Sequence, residues 1–437
     1  MQDLNFKSSA WYPILAVGIS MVGFISIKTG RDAVFFSQGG LRQLPLVYIL
    51  MAVVSVPAAI THLGAIKRWG ARKVRTGVFL LTATMFLCFV PFVDLDHNIL
   101  MFTMFVLVPA SFAAVFASAW LLAADLLEGA DESAPRWVYS RIGAGSMIGG
   151  VFGGIFAGGL SMFLPPRFLV LEGAVMLLIA AGVVSRAHRR HLVRNRNLSS
   201  TESQGNEPER EADVSPPISE ENPATLGLMK EPYVLGLIGI SALGALAALY
   251  IDFQFYAIAT LSGYANAQFF AGFYTLLNLA ALVLQLLAAP WIQTRYGVGG
   301  ALLVLPIALL GGAVGVVMVS TTILSRSILK VTEGGLKASI HRSMWEQVFL
   351  PLGGERREMA KVMVDGLFAR MSEGMAAAAL YIWLSRIQSL EADLDLSWIS
   401  WVIVAAVLLW VVLTRYLAKQ GCAEIDEFDP VIRLPDS

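Results

Sequence analysis

Apolar runs of near-spanning length begin at about Trp11, Leu44, Val74, Ile99, Ile142 and Phe168, and again at about Tyr233, Ala267, Gly299, Thr322, Met359 and Trp398. A helix needs about 20 mostly apolar residues to cross the hydrocarbon core. Inside lipid a spanning segment must satisfy its own backbone polar groups, which leaves the helix as the form for runs of this length. The pattern therefore predicts an all-α membrane protein with twelve transmembrane helices, six on each side of a polar break. Composition points the same way. Only 15% of the 437 residues are charged, against about 25% in a soluble globular protein, which is too few to solvate the surface of a chain this long.

The break contains NRNLSSTESQGNEPEREADVSPPISEENPA, polar, charged and proline-bearing. It has too little apolar surface to fold and reads as a flexible linker. The expected organisation is an N-terminal six-helix half over 1–185, a cytoplasmic linker over 186–231, a C-terminal half over 232–418 and a tail over 419–437. Basic residues in short loops set orientation. Lys67, Arg68, Arg72, Lys73 and Arg75 follow the second span, Arg186, Arg189, Arg190, Arg194 and Arg196 follow the sixth, and Arg415 and Lys419 follow the twelfth. PFVDLDHN and TLSGYANA, on the other side, have no Lys or Arg. Both termini are thus expected on the cytoplasmic side. The start MQDLNFKSSAWYP lacks the basic-then-apolar pattern of a signal peptide, so the first run is expected to be a retained span.

The two halves repeat. GISMVG at 18–23 is answered by GISALG at 239–244, an offset of 221, and Arg68-Trp69-Gly70 by Arg295-Tyr296-Gly297, an offset of 227. Both matches occupy equivalent places in the two sets of six spans. Twelve spans, a long link and parallel halves describe a major facilitator-like architecture, whose substrate site lies between the halves near the midplane. GAIKRWGARKVR resembles the basic loop after the second helix in that superfamily. The glycines of the fifth span, including Gly145, Gly149, Gly150, Gly153, Gly154 and Gly158, resemble the glycine-rich fifth helix of facilitator antiporters and equally suit close helix packing.

Charge inside the spans marks the candidate site. In SRSILKVTEGGLKASIHRSMWEQVFLPL (325–352), Arg326, Lys330, Glu333, Lys337 and His341 recur at spacings of four, three, four and four. These side chains fall within an arc of about 80° on one helix face. Each ionised group at the bilayer centre costs roughly 2.5–3.5 kcal/mol, so four facing lipid would cost on the order of 10 kcal/mol. The stripe is expected to face a wet cavity or opposing charges. The 221-residue offset carries Arg31 onto Asp252, which puts an ionisable group at one level in the leading helix of each half. Lys28 and Asp32 share a face at a spacing of four, as do Asp252 and Tyr256, and Lys361 and Asp365 in the eleventh span.

Other chemistries have no signature. No G-x-x-x-x-G-K-[ST] loop is present, and no Ser/His/Asp or Cys/His constellation is visible, so no enzymatic activity is expected. The five histidines lack metal-ligand spacing, and no metal or other cofactor is implied. Cys88 lies in an apolar run and Cys422 in the polar tail, so no disulfide is expected. A formal net charge of zero argues against a nucleic-acid partner.

Four blocks resemble the ATP/ADP antiporters, the nucleotide translocases of plastids and intracellular bacteria with relatives in free-living bacteria. IKTGRDAVFF (27–36) resembles the basic–Asp pair of the family's first helix, and LYIDFQFYA (249–257) the acidic residue of its seventh. LKASIHRSMWEQVFLPL (336–352) resembles a lysine with a Glu nine residues on and a proline-ended apolar turn. AKVMVDGLFARMSEGM (360–375) resembles the K-x-x-x-D helix that follows. The resemblance implies that Arg31 stands for the first-helix cation, Asp252 for the seventh-helix acid, Lys337 for the tenth-helix lysine and Glu346 for the acid after it. Two departures stand out: 101–108 holds no acid to match the family's fourth-helix carboxylate, and Tyr256 stands where plastid and energy-parasite members have a lysine.

The leading expectation is a secondary transporter in a bacterial inner membrane, a monomer in the lipid bilayer that moves a nucleotide or related phosphorylated anion by alternating access, as an exchanger. Arg31, Arg326, Lys330 and Lys337 would contact phosphate oxygens. Asp252 and Glu333 would balance those cations when no substrate is bound. Lys28, Asp32, Tyr256, Lys361 and Asp365 complete the candidate set. Two alternatives remain: a proton-coupled facilitator exporting a drug or metabolite, with Asp252, Glu333 or Asp365 carrying the proton, and a non-transporting membrane scaffold or sensor.

Overall fold

The computed structural model describes residues 2–94, 98–127, 133–202, 231–318, 322–352, 354–387 and 395–418. Among these residues the chain is helical, with short 3-10 and π turns and no strand. Helices α1 (Gln2–Ser37), α2 (Leu44–Trp69), α3 (Ala71–Phe89), α4 (Asn98–Leu127), α5 (Ser133–Ser161) and α6 (Arg167–Glu202) come first. Helix α7 is Pro232–Leu261. Helix α8 opens as Ala267–Val283, passes through a π turn at Leu284–Ala288 and runs into the segment Ala289–Met318. Gly297, at φ 62° and ψ −171°, ends α8 inside that segment, and 298–318 is α9. Helix α10 joins Ile323–Leu336, a π turn at Lys337–His341 and Arg342–Gln347. Helix α11 joins Gly354–Lys361, a π turn at Val362–Phe368 and Ala369–Leu384, and α12 is Ser397–Leu417.

Nine stretches among the described residues are long and apolar enough to cross a membrane. One of them, Ala267–Met318, is 52 residues long and makes two crossings because Gly297 breaks it. Helices α10 and α11 do not qualify by composition, because of the charges that single them out in the sequence. The result is an all-α membrane protein with twelve long helices among the described residues.

Close glycine contacts fix the helix directions. A Cβ on Gly149 would strike the Gly18 carbonyl and one on Gly153 would strike Val22, so α1 and α5 run parallel. Gly23 meets Gly173, and Gly30 meets Pro166 and Leu169, so α6 runs back along α1. Gly236, Gly239 and Gly244 meet Leu417, Leu413 and Trp410 in the same antiparallel sense between α7 and α12. The glycines of the repeated hexapeptide thus let the leading helix of each half lie tightly on its neighbours.

The second repeated motif also has a backbone reason. Gly70 (φ 82°) and Gly297 (φ 62°) close the second helix of each half, in a region of φ that glycine enters without steric cost. The preceding Arg68-Trp69 and Arg295-Tyr296 end their helices at that break.

Consecutive helices alternate in direction, so α1 starts at the end of the bundle where α12 finishes. That end is called the terminal end here, and the end holding Ser37 and Leu261 the far end. The two sets of six helices meet along two seams. On one, Gly150, Gly154 and Gly158 of α5, four residues apart, take Asn278, Thr275 and Ala271 of α8 against the helix backbone. On the other, Gly374 of α11 meets Ala52 of α2, and Arg42 Nη2 donates to the Ile387 carbonyl at 3.0 Å. These contacts run from mid-bundle to the far end.

One expected boundary differs. Helix α6 continues to Glu202, past residue 186 where the polar linker is expected to begin. Residues 186–196 hold five arginines, a residue type with good helix propensity, so the charge that stops membrane insertion does not stop the helix. The rest of the linker, 203–230, and the tail 419–437 with Cys422 lie outside the described residues.

Candidate functional site

The far half of the interface between the two sets of helices holds a polar network, set in a ring of phenylalanines. Asp32 on α1 is its first node and is fully buried. Its Oδ1 accepts from Arg31 Nε at 2.7 Å and Nη2 at 2.5 Å. Its Oδ2 lies 3.5 Å from Lys28 Nζ and accepts from Tyr256 Oη of α7 at 3.1 Å and from Tyr274 Oη of α8. The tyrosine hydroxyls are 3.0 Å apart. Lys28 Nζ also donates to Tyr256 Oη at 3.4 Å and sits 3.5 Å above the Tyr274 ring. Phe36 stacks on Tyr256 at 4.3 Å, and Phe270 meets both.

Asp252, one helical turn before Tyr256 on α7, is the second node. It accepts from Lys330 Nζ at 2.5 Å and from Tyr48 Oη of α2 at 3.3 Å. Lys330 also binds Glu333 at 2.6 Å, and Glu333 reaches Lys337 at 3.3 Å. The pattern is reciprocal: the second helix of each set lends a tyrosine to the carboxylate on the leading helix of the other. Tyr48 and Tyr274 stand 226 residues apart, one short of the offset that relates the Arg-aromatic-Gly motifs of the same two helices. That near-coincidence was the signal available for Tyr48, a residue the charge pattern alone misses.

Several candidates sit differently from the expectation drawn from spacing. Helical geometry displaces Arg31 by about 100° from the Lys28–Asp32 face. In the structure the Arg31 guanidinium nevertheless folds back onto Asp32, its own neighbour. It also donates to the Phe105 carbonyl of α4 at 3.4 Å and lies 3.8 Å over the Phe105 ring. A long side chain reaches an adjacent carboxylate that a face diagram separates from it. Lys361 and Asp365 stand apart from the network, toward the terminal end. Lys361 pairs with Glu346, and Asp365 accepts from Trp345 Nε1 at 2.8 Å. The π turn at Val362–Phe368 alters the register between them, and both answer α10. His341 stacks on Trp345 and meets Trp410 edge-on rather than joining the ion pairs. Arg370 pairs with Glu373 on its own helix at 2.8 Å.

Arg326 is the exception to the pairing. It is 1% exposed, and its Nε, Nη1 and Nη2 have no hydrogen-bond partner among the described residues. The remaining stripe residues run from buried Glu333 to Lys337, whose side chain is 52% exposed. The stripe thus passes from a sealed region near the far end to an exposed one toward the terminal end. Among the described residues no cluster of His, Cys, Asp and Glu is arranged to hold a metal ion.

No family model matches the chain, and no curated protein matches it. Solved structures do. A bacterial homologue of the iron transporter ferroportin in its inward-facing state superposes with a TM-score of 0.63 at 15% identity, over 94% of this chain and 99% of that one. An auto-inhibited peptide transporter of the POT family gives 0.61 at 12% identity, over 94% and 97%. The nucleoside transporter NupG gives 0.56 at 12% identity, over 94% and 99%. Identities this low speak for the fold alone, which is a major facilitator-like arrangement of membrane helices.

Proposed function

We propose that the protein is a secondary transporter that moves a small organic anion across a bacterial inner membrane by alternating access. The observation that carries this reading is the charge inventory of the interface. Lys28, Arg31, Lys330 and Lys337 bring four cations to its ion-pair network and Asp32, Asp252 and Glu333 three carboxylates, while Arg326 adds a fifth cation, buried on the same face of α10 as Lys330 and Glu333. A surplus of two positive charges in a low-dielectric seam favours an anion over a neutral or cationic cargo. Three carboxylates hold four of the cations in place, which limits the cost of burying them when no substrate is bound.

The far-end contacts and the Asp32 and Asp252 nodes would form one gate, closed in this conformation, and the seam would open toward the terminal end. Taking that end as cytoplasmic follows from the basic loops. On this reading the helices of 1–185 and 232–418 rock about the two seams, as a monomer in the bilayer. The likeness of its blocks to the ATP/ADP antiporters, together with a cation set suited to phosphate oxygens, makes a phosphorylated nucleotide the first substrate class to test and exchange the first mode. Purified protein in liposomes loaded with unlabelled ADP is expected to accumulate labelled ADP by counterflow. Absence of counterflow for every nucleoside phosphate tried would reject the nucleotide reading. Uptake that needs only a pH gradient, with no internal substrate, would replace it with proton-coupled export or import.

A further inference from the structure

We propose that Arg326 is the residue that captures the substrate's oxyanion, by a bidentate guanidinium contact, and so sets which anions are accepted. The inference rests on the anion-transport reading above and goes further by naming one residue and one ligand geometry. Four of the five cations of α1 and α10 are already engaged: Lys28 and Arg31 by Asp32, Lys330 by Asp252 and Glu333, and Lys337 by Glu333. Arg326 alone among them is both fully buried and, among the described residues, without a partner on any of its three side-chain nitrogens.

Its position is specific. It lies about 20° from Glu333 and about 40° from Lys330 around α10, one turn and about 6 Å nearer the far end. It shares the face that meets Asp252, on the far side of the Lys330–Asp252 pair. An anion entering from the far end, once the tyrosine contacts to Asp32 and Asp252 part, meets Arg326 before any other cation of α10. A buried charge with no counter-charge is unfavourable, and the guanidinium fork is built to take two oxygens of one carboxylate or phosphate group. Ligand binding would thus supply the counter-charge this helix lacks.

The test uses the full chain in a neutral detergent, with sodium pyrophosphate titrated at constant ionic strength against sodium chloride. Thermal unfolding is followed for the unsubstituted protein, R326Q and R326K. The unsubstituted protein is expected to gain melting temperature with pyrophosphate. R326K, which keeps the charge but not the fork, should need about tenfold more pyrophosphate for half the shift, equivalent to about 1.4 kcal/mol. R326Q should lose the shift while melting, without ligand, at or above the temperature of the unsubstituted protein, because it removes an unpaired charge. A ligand-free R326Q that melts lower, or fails to fold, overturns the proposal in favour of a structural role. A pyrophosphate shift retained by R326Q overturns the role of Arg326 and leaves anion transport standing. No shift in the unsubstituted protein overturns both.

Discussion

Replacing Tyr256 and Tyr274 by Phe should open the far end of the bundle. Asp32 accepts from Arg31, Lys28, Tyr256 and Tyr274. The first two belong to its own helix and survive any movement between the halves, whereas the two hydroxyls come from α7 and α8 and are lost when the halves part. A hydrogen bond to a charged group contributes about 1.5–3 kcal/mol. Two at the lower figure give about 3 kcal/mol, a shift of about 150-fold in the equilibrium between closed and open far ends. The rings remain, so the Phe36–Tyr256 stack at 4.3 Å and the packing around Phe270 are kept, and Asp32 stays paired. Spin labels at Gln38→Cys and Ser262→Cys, in a background with Cys88→Ser and Cys422→Ser, would report the separation of the α1 and α7 far ends by pulsed electron resonance. The expected result is a long-distance population that grows in the double variant and is small in the parent. An unchanged distance distribution, with both proteins folded, would refute the claim that these bonds hold the halves together.

Three further sets of substitutions probe helix packing, buried charge and a helix terminus. Gly149→Ala drives a Cβ into the Gly18 carbonyl inside one half, while Gly154→Ala meets Thr275 and Ala271 across the seam. Overpacking costs about 1–3 kcal/mol; G149A should lower the melting temperature, and G154A should lengthen the Gln38–Ser262 distance with a smaller loss of stability. Lys330→Ala strips both Asp252 and Glu333 of their buried partner and should cost about 3–5 kcal/mol, whereas Lys337→Ala, at a half-exposed pair, should cost no more than about 1 kcal/mol; thermal unfolding in detergent measures the contrast. Asp395 is exposed just before α12, and the Ser397 backbone amide, donating at 2.8 Å, holds its carboxyl below the usual carboxylate range. Its contribution is therefore present above the ordinary value of about 3.9 and is lost as pH falls through the lowered one. D395N should melt lower at pH 7, by about 0.3–1 kcal/mol of helix-terminus interaction, and the difference from the parent should vanish in strong acid.

Much of the fold was legible from period, length and charge because lipid leaves a spanning chain few options. The runs starting near Trp11 through Trp398 correspond to the twelve helices, and the Arg-aromatic-Gly repeat corresponds to two positive-φ turns. The end of α6 was not legible, because polarity reports where a chain leaves the membrane and not where its helix stops. At the site, the α10 stripe is answered from another helix at one residue, Lys330 by Asp252, while Glu333 pairs within the stripe itself. Helical angles failed for Arg31, whose flexible side chain turns back on Asp32, and they say nothing of depth, so Lys361 and Asp365 answer Glu346 and Trp345 of α10 away from the network. Tyr48 and Tyr274 escaped notice as ligands of the carboxylates because uncharged hydroxyls carry no penalty in an apolar run. Their pairing across the interface exists only in three dimensions.

The most direct measurement compares two cargoes that differ only in charge. Proteoliposomes filled with a mixture of unlabelled ADP and adenosine are offered labelled ADP in one sample and labelled adenosine in another, from the same preparation. Two uncompensated positive charges in the seam predict counterflow of ADP, with adenosine no faster than in protein-free vesicles. Accumulation of adenosine with exclusion of ADP would contradict an anion-selective site, whatever the fold.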